Sequence, residues 1–153
     1  MLYLRFRIGG EDYALPASQI AEVLPLVAVR PLPCASPGVA GVMDYHGSVV
    51  PVIDLSELLI GRPGVRRLST RIVMVNYHDG VETAQLLGLI VERATRAEHY
   101  EPADFANTGV AIPHAPFLGG VTNHAAGMVQ FIEVNRLLPE GLRALLFRQM
   151  AHV

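Results

Sequence analysis

Residues 41–59 read GVMDYHGSVVPVIDLSELL, and the same pattern returns at residues 120–138 as GVTNHAAGMVQFIEVNRLL. The two stretches align without a gap. Their identical positions are Gly41 and Gly120, Val42 and Val121, Val50 and Val129, Ile53 and Ile132, and the leucine pairs at 58–59 and 137–138. Asp54 aligns with Glu133, so an acidic residue ends both runs. We therefore predict that this chain of 153 residues contains two similar units.

The residues on either side of this pattern alternate as strands do. LYLRFRI (residues 2–8) places Leu2, Leu4, Phe6 and Ile8 on one face, which predicts a half-buried strand. GVMDYHGSVVPVIDL is predicted to be a hairpin that turns at DYHG, with Gly47 at positive φ. Pro51 should lie at an edge or a bulge, because proline cannot donate to a ladder.

Two segments are predicted to be helical. LPASQIAEVL (residues 15–24) favours a short helix, because Ile20, Val23 and Leu24 would share one side of it. PEGLRALLFRQM is predicted to form a closing helix. IVMVNY and TAQLLGLIVERA, by contrast, are typical of strands.

The unit boundaries follow from these elements. We expect subdomain 1 at about 12–70 and subdomain 2 at about 71–138 together with the N-terminal strand 2–8. The C-terminal helix should cover about 139–150. A unit of about 60 residues hides only about 60% of its surface, so the two should pack along a hydrophobic seam. A groove at that seam would suit a ligand or a peptide.

The composition narrows the function classes. Hydrophobic residues make up 51% of the chain and charged ones 17%, a balance typical of folded proteins. The net charge of −2 gives no overall attraction to nucleic acid or to an anionic membrane. Cys34 is the sole cysteine, so the chain has no internal disulfide. The first ten residues lack the apolar core of a signal peptide, and we expect a cytoplasmic location.

The reactive side chains form no recognisable catalytic or metal-binding motif. His114 and His124 could meet as a metal site, although histidines in surface loops explain them more simply. Asp54 and Glu133 could be a pair of catalytic carboxylates, or each could cap the helix after its strand, which the repetition favours. We expect no catalytic residue, no metal and no cofactor.

A cluster of arginines follows the first repeat. It comprises Arg62, Arg66, Arg67 and Arg71. The cluster could hold an anion or nucleic acid, or it could be a solvated linker between the units. The lack of an aromatic platform among these residues favours the linker.

The hairpin stretch GVMDYHGSVVPVIDL resembles the hallmark of the CheW domain, roughly G-V-x-N-L-R-G-x-[IV]-[VI]-P-[VI]-[IV]-D-L. YALPASQIAEVL resembles the segment that precedes this hallmark, and LLGLIVERA resembles a strand of the family's second half. The likeness runs from about Leu2 to Leu138. It implies a mostly β fold of two SH3-like five-stranded β-barrel subdomains with short helices and a C-terminal helix.

The resemblance also implies a function. Members of this family are non-enzymatic adaptors in chemosensory signalling. They couple the cytoplasmic tip of a methyl-accepting chemotaxis receptor to the regulatory domain of a CheA-type histidine kinase. Such a protein would reach membrane receptor arrays through its partners, with no nucleic acid bound and no direct membrane insertion. Other CheW-like domains are further candidate partners.

Seven positions correspond to partner-binding positions of the family. They are Ile20, Glu22 and Val23, then Asp44, Tyr45 and His46 in the N-L-R slots, and Glu92 where the family often has Asp. His46 replaces a permanently charged Arg, and Tyr45 adds an aromatic ring, so recognition of the partner should differ. We expect a coupler of an alternative pathway, similar to those of Wsp-type surface-sensing (biofilm) systems. The alternatives are a small-ligand or metal-dependent enzyme on two barrels, and a homotypic ring or filament scaffold.

Overall fold

The computed structural model of the chain describes residues 1–33, 36–78, 84–106, 115–124, 127–139, 143, 146 and 147, without the side chains of Thr95 and His124. The strands in these residues are β1 Leu2–Ile8, β2 Glu11–Pro16, β3 Ile20–Pro25, β4 Val39–Tyr45, β5 Ser48–Asp54, β6 Arg71–Tyr77, β7 Gln85–His99, β8 Leu118–His124 and β9 Gly127–Ile132. The helical elements are α1 Leu55–Ile60 and 3₁₀ turns at Ala17–Gln19, Pro102–Asp104 and Val134–Arg136.

The long strand β7 belongs to both halves of the protein. Up to Val91 it pairs with β6 and, in parallel, with β5. From Glu92 to His99 it pairs with β1. The first half therefore has the strand order β3-β6-β7-β5-β4, and the second half has the order β7-β1-β2-β9-β8. This confirms the mostly β fold with two five-stranded units, which share one strand and so form a continuous sheet.

The sequence repeat is matched by a repeated backbone contact. Arg30 and Val42 exchange both backbone hydrogen bonds, at 2.8 and 2.9 Å. Ala106 and Val121 do the same in the second half, at 2.9 Å each. In both halves, a segment outside the named strands thus bridges to the first strand of the repeated hairpin. The repeated valine follows the glycine that lets the segment approach.

Among the described residues, the core consists of three clusters. One fills the first half and contains Met43, Val50, Val52, Ile72, Met74 and Ile90. One fills the second half and contains Tyr3, Ala14, Tyr100 and Val129, with Phe105 and Phe131 against it. The largest lies between the halves and includes Phe6, Leu15, Ile53, Val73, Val75, Tyr77, Leu89, Phe117 and Ile132. Strand β6 contributes to two of the clusters, because successive residues of a strand face opposite sides of the sheet.

The central cluster fills the part of the seam that it occupies, where an open groove was expected. Over these residues the seam is closed by the chain's own side chains. The ring of Phe147 stacks on that of Tyr77 at 5.7 Å, so the C-terminal segment helps to fill it. The physical reason is that each small half has too few apolar residues to form a stable core alone. Its inner face is therefore buried against the other half.

Two local predictions were wrong. Residues 15–24 are not one helix: a single 3₁₀ turn at Ala17–Gln19 is followed by strand β3. This segment pairs with the edge of β6 as an antiparallel strand. The backbone hydrogen bonds of that pairing outweigh the weak helical spacing of its apolar residues. In β1 both faces are covered, so Tyr3 and Arg5 are buried, whereas Leu2 is exposed.

Strand pairing also crosses the predicted division of the chain. β2 pairs with β1 and β9 of the second half, although residues from 12 on were placed in subdomain 1. β6 pairs with β3 and β7 of the first half, although residues from 71 on were placed in subdomain 2. The predicted closing helix lies largely outside the described residues, of which 143, 146 and 147 are helical. Cys34 also lies outside them. No helix in the described part of the chain is long and apolar enough to cross a membrane.

Candidate functional site

The hairpin of β4 and β5 carries three of the predicted site residues, Asp44, Tyr45 and His46, at or beside its turn. β4 and β5 pair up to Tyr45 and Ser48, which leaves His46 and Gly47 as the turn. Both have positive φ, 51° and 85°, as a type I′ turn requires. The Asp44 Oδ1 atom accepts a hydrogen bond from the Gly47 N–H at 3.0 Å. Asp44 thus stabilises the turn itself, and the prediction of positive φ at Gly47 is confirmed.

Glu22 of β3 contacts this turn, and the contact defines the Glu22 cluster: Glu22, Tyr45 and His46. The Tyr45 hydroxyl donates a hydrogen bond to Glu22 Oε2 at 2.7 Å. The His46 Nε2 atom lies 3.7 Å from the same oxygen. The rings of Tyr45 and His46 meet edge to face at 4.4 Å. β3 and β4 are the two edge strands of the first half, so the cluster joins those edges.

The Glu22 cluster is open to solvent. The side chains of His46 and Glu22 are 76% and 43% exposed. The hydrogen bond to Glu22 raises the pKa of Tyr45 above its usual value, because the carboxylate stabilises the protonated phenol. The exposed Glu22 carboxylate can accept hydrogen bonds from a docked protein, and the His46 imidazole beside it can donate one. The ring of Tyr45 adds apolar area for the same purpose.

The other β3 residues of the predicted site are divided between two faces. Glu22 is paired with Met74 and Val23 with Val73, so their side chains point to opposite sides of the sheet. Ile20 packs against the central cluster and is half-buried. Val23 is 40% exposed, so its side chain could contact a partner protein. The three residues therefore do not form one contact surface.

Glu92 is held elsewhere. Its Oε2 accepts a hydrogen bond from the Ser56 hydroxyl at 3.2 Å, and its Oε1 accepts one from the Val65 N–H at 3.1 Å. These contacts attach the loop after α1 to β7. Within the described residues, Glu92 makes no hydrogen bond to the Glu22 cluster. Glu92 thus has a structural role that the sequence pattern did not reveal.

The repeated acidic positions behave differently. Asp54 caps α1 as predicted: its Oδ1 accepts hydrogen bonds from the N–H groups of Ser56 and Glu57, at 3.0 and 3.4 Å. Glu133 makes no such bond and contacts Arg136 instead, at 3.4 Å. The prediction of a cap at Glu133 was wrong, because a single 3₁₀ turn follows and the longer side chain reaches outward.

The histidine pair cannot be placed. His114 lies outside the described residues, and only the backbone of His124 is described. In the described part of the chain, no three His, Cys, Asp or Glu side chains are grouped as metal ligands would be.

Val49 belongs to the candidate site although the sequence analysis did not single it out. It pairs with Asp44 beside the turn and is 39% exposed. The alternation of side chains along a strand could have predicted this, because Val49 and Val50 cannot both face the core. Val50 is buried, so Val49 faces outward. The site is thus a polar cluster with an apolar neighbour on the edge of a small β-barrel.

The chain thus has two small β-barrels that share a strand, and an exposed cluster lies at the tip of one hairpin. Known proteins with the same domain have similar sequences. A CheW-like domain matches residues 2–141. The chain is 23% identical over 141 residues to the chemotaxis protein CheW of Treponema pallidum, covering 86% of this chain and 78% of that protein. It is 28% identical over 118 residues to the protein PilI of Pseudomonas aeruginosa, covering 76% and 64%.

A solved structure shows the same fold. The scaffolding protein TtCheW from Thermoanaerobacter tengcongensis superposes with a TM-score of 0.78 at 20% identity, over 92% of this chain and 89% of that one. Because the domain match covers nearly the whole sequence, the chain belongs to the family of CheW-like domains.

Proposed function

We propose that this protein is a non-enzymatic adaptor of a bacterial chemosensory array, coupling a chemoreceptor tip to a CheA-type histidine kinase. Membership of the CheW-like family supports a scaffold role in chemosensory signalling. The observation that carries the finer proposal is the exposed Glu22 cluster, in which Glu22 of β3 contacts Tyr45 and His46 of the hairpin that bears the family's hallmark. The scaffold would hold its two partners together and so raise the concentration of one at the other.

The cluster supplies the kind of contacts that a helical receptor tip needs. Apolar area from Tyr45 and Val49 would anchor the partner, while Glu22 would set its orientation through charge. Because Tyr45 is already hydrogen-bonded to Glu22, its ring is held in place before binding. Less conformational freedom is then lost on association.

We predict that Tyr45→Ala and Glu22→Arg each weaken partner binding at least tenfold while the fold stays intact. Loss of a central aromatic anchor typically costs about 2 kcal/mol or more, and charge reversal opposes the partner's complementary charge. Titration calorimetry with a purified receptor tip and with the kinase regulatory domain measures the effect, and circular dichroism checks the fold. Glu11→Arg is the matched control, since Glu11 is exposed but belongs to the second half. Wild-type affinity in both cluster variants would remove the cluster from the interface.

We further propose that the pathway is an alternative one of the Wsp, surface-sensing type rather than a flagellar one. The support is chemical: Tyr45 and His46 stand where the family pattern has Leu and Arg. A partner that reads a permanently charged, forked guanidinium should bind less well to an imidazole. His46→Arg is therefore expected to raise affinity for the receptor tip of a flagellar gene cluster. Equal wild-type affinity for that tip and for the receptor of its own gene cluster would contradict the proposal.

A further inference from the structure

A cleft lined by arginines lies where β7 passes from the first half to the second. Its volume is about 270 Å³. Arg7 of β1, Arg62 and Arg67 of the loop after α1, and Arg93 of β7 contribute to its walls. These residues come from three separate parts of the chain. From the sequence, Arg62 and Arg67 were grouped with Arg66 and Arg71, and a solvated linker was the favoured interpretation.

The cleft carries more positive than negative charge. Arg7 is paired with Asp12, at 3.0 Å. Glu92 also lines the cleft and offsets one positive charge, although its two oxygens already accept hydrogen bonds from the Ser56 hydroxyl and the Val65 N–H. Among the described residues, Arg62, Arg67 and Arg93 have no carboxylate within ion-pair distance. Three guanidinium groups are thus free to bind an anionic group.

The backbone is bent in a way that places Arg93 at the cleft. β7 carries extra residues opposite β1 between the pairs Arg5–Arg96 and Arg7–Glu92. Arg93 lies in this bulge with a φ of 51°. Positive φ in a residue other than glycine is strained and persists where the surroundings impose it. Bulges of this kind redirect a side chain away from the regular alternation of the strand.

Apolar side chains accompany the charges. Val65 lines the cleft and is 49% exposed, and Leu68, in the same loop, is 95% exposed. Ile60 is 40% exposed and lies beside Gly9, which forms another wall of the cleft. Arginines with exposed aliphatic residues beside them complement a segment that carries both carboxylates and leucine-like side chains.

We propose that this cleft binds an acidic, amphipathic peptide segment of a partner protein, at a surface separate from the Glu22 cluster. A nucleotide or nucleic acid fits less well, because none of the described residues that line the cleft is aromatic and able to stack on a base. A lipid surface fits less well, because the arginines line a concave space rather than a flat face. The arginines would bind carboxylates in forked pairs, and Val65 would contact the aliphatic side chains.

A titration of ¹⁵N-labelled full-length protein with a synthetic peptide of alternating Glu and Leu tests the proposal. The amides of Gly9, Gly10, Val65 and Arg93 are expected to shift. The double variant Arg62→Glu/Arg67→Glu should bind at least tenfold more weakly. Arg66→Glu is the matched control, because Arg66 is an exposed arginine in the same loop that does not line the cleft. Its affinity should change less than threefold.

Other results would overturn the proposal. They are an absence of shifts at these amides, equal weakening by Arg66→Glu, shifts with inorganic pyrophosphate that the peptide does not displace, and binding to phosphatidylglycerol vesicles but not to the peptide. If the double variant does not fold, Arg93→Asn serves instead, because asparagine tolerates positive φ. That variant should weaken peptide binding severalfold, and unchanged affinity would again overturn the proposal. Receptor-tip binding, measured in parallel, should stay within twofold, so failure of this proposal is distinguishable from failure of the adaptor role.

Discussion

Replacing Gly41 with alanine is expected to destabilise the protein by about 4 kcal/mol or more, enough to unfold many domains of this size. A Cβ at Gly41 would lie 2.0 Å from the carbonyl oxygen of Arg30 and 2.9 Å from the Cα of Pro31. Both contacts are backbone atoms that cannot rotate away. Gly41 also has a φ of 142°, which side chains rarely adopt. A urea denaturation curve of the purified variant measures the loss.

Two other glycines provide matched controls for Gly41→Ala. At Gly120, the repeat equivalent, a Cβ would lie 2.8 Å from the carbonyl oxygen of Phe105, so the cost should be large but smaller. At Gly47 no atom lies within 4 Å, and only the positive φ opposes alanine, at a cost of about 1 kcal/mol. The expected order of destabilisation is Gly41, Gly120, Gly47. A cost at Gly41 no greater than that at Gly47 would show that the bridging segment moves freely.

These contacts explain why the repeat was a reliable guide to the fold. Both halves need a glycine where a bridging segment crosses the hairpin, followed by a valine that exchanges hydrogen bonds with that segment. The local hairpin and the contact with the bridging segment thus require the same glycine and valine. The hairpin, its turn and the Asp54 cap were predictable for this reason. Each depends on backbone requirements that only a few residue types meet.

Predictions failed where a distant partner decides the structure. Residues 20–25 became a strand because β6 had an edge to offer, which no local pattern reveals. Arg5 is buried because Asp12 and Glu98 neutralise it from two neighbouring strands. In the same way, the resemblance supplied Glu22, Tyr45 and His46, but not the hydrogen bond that joins two edge strands. Glu92 was also predicted from the resemblance, but its partners are Ser56 and Val65.

Burial of charge in the second half leads to the other large expected effect. Arg5→Ala should destabilise the protein by about 3–5 kcal/mol, the range for removing one partner of a buried ion pair. Arg5 is 7% exposed. Its guanidinium contacts the Asp12 carboxylate and lies 3.4 Å from Glu98. Alanine would remove a buried counter-charge from both carboxylates, which are themselves largely buried. Thermal and urea denaturation at neutral pH measure the change.

Arg7→Ala is the matched control for Arg5→Ala, because Arg7 contacts the same Asp12 but its side chain is 46% exposed. Its cost should stay below about 1 kcal/mol. Burial acts to raise the pKa of Asp12, but hydrogen bonds from Arg7 and Arg5 outweigh it and hold that pKa below the usual 3.8. The stabilisation from Asp12 is therefore complete above pH 3.8 and is lost as the pH falls through the lower folded-state pKa. The stability gap between wild type and Arg5→Ala should narrow over that acid range. A gap that stays constant there, or equal costs for the two arginines, would mean that Arg5 stabilises the fold through packing rather than charge.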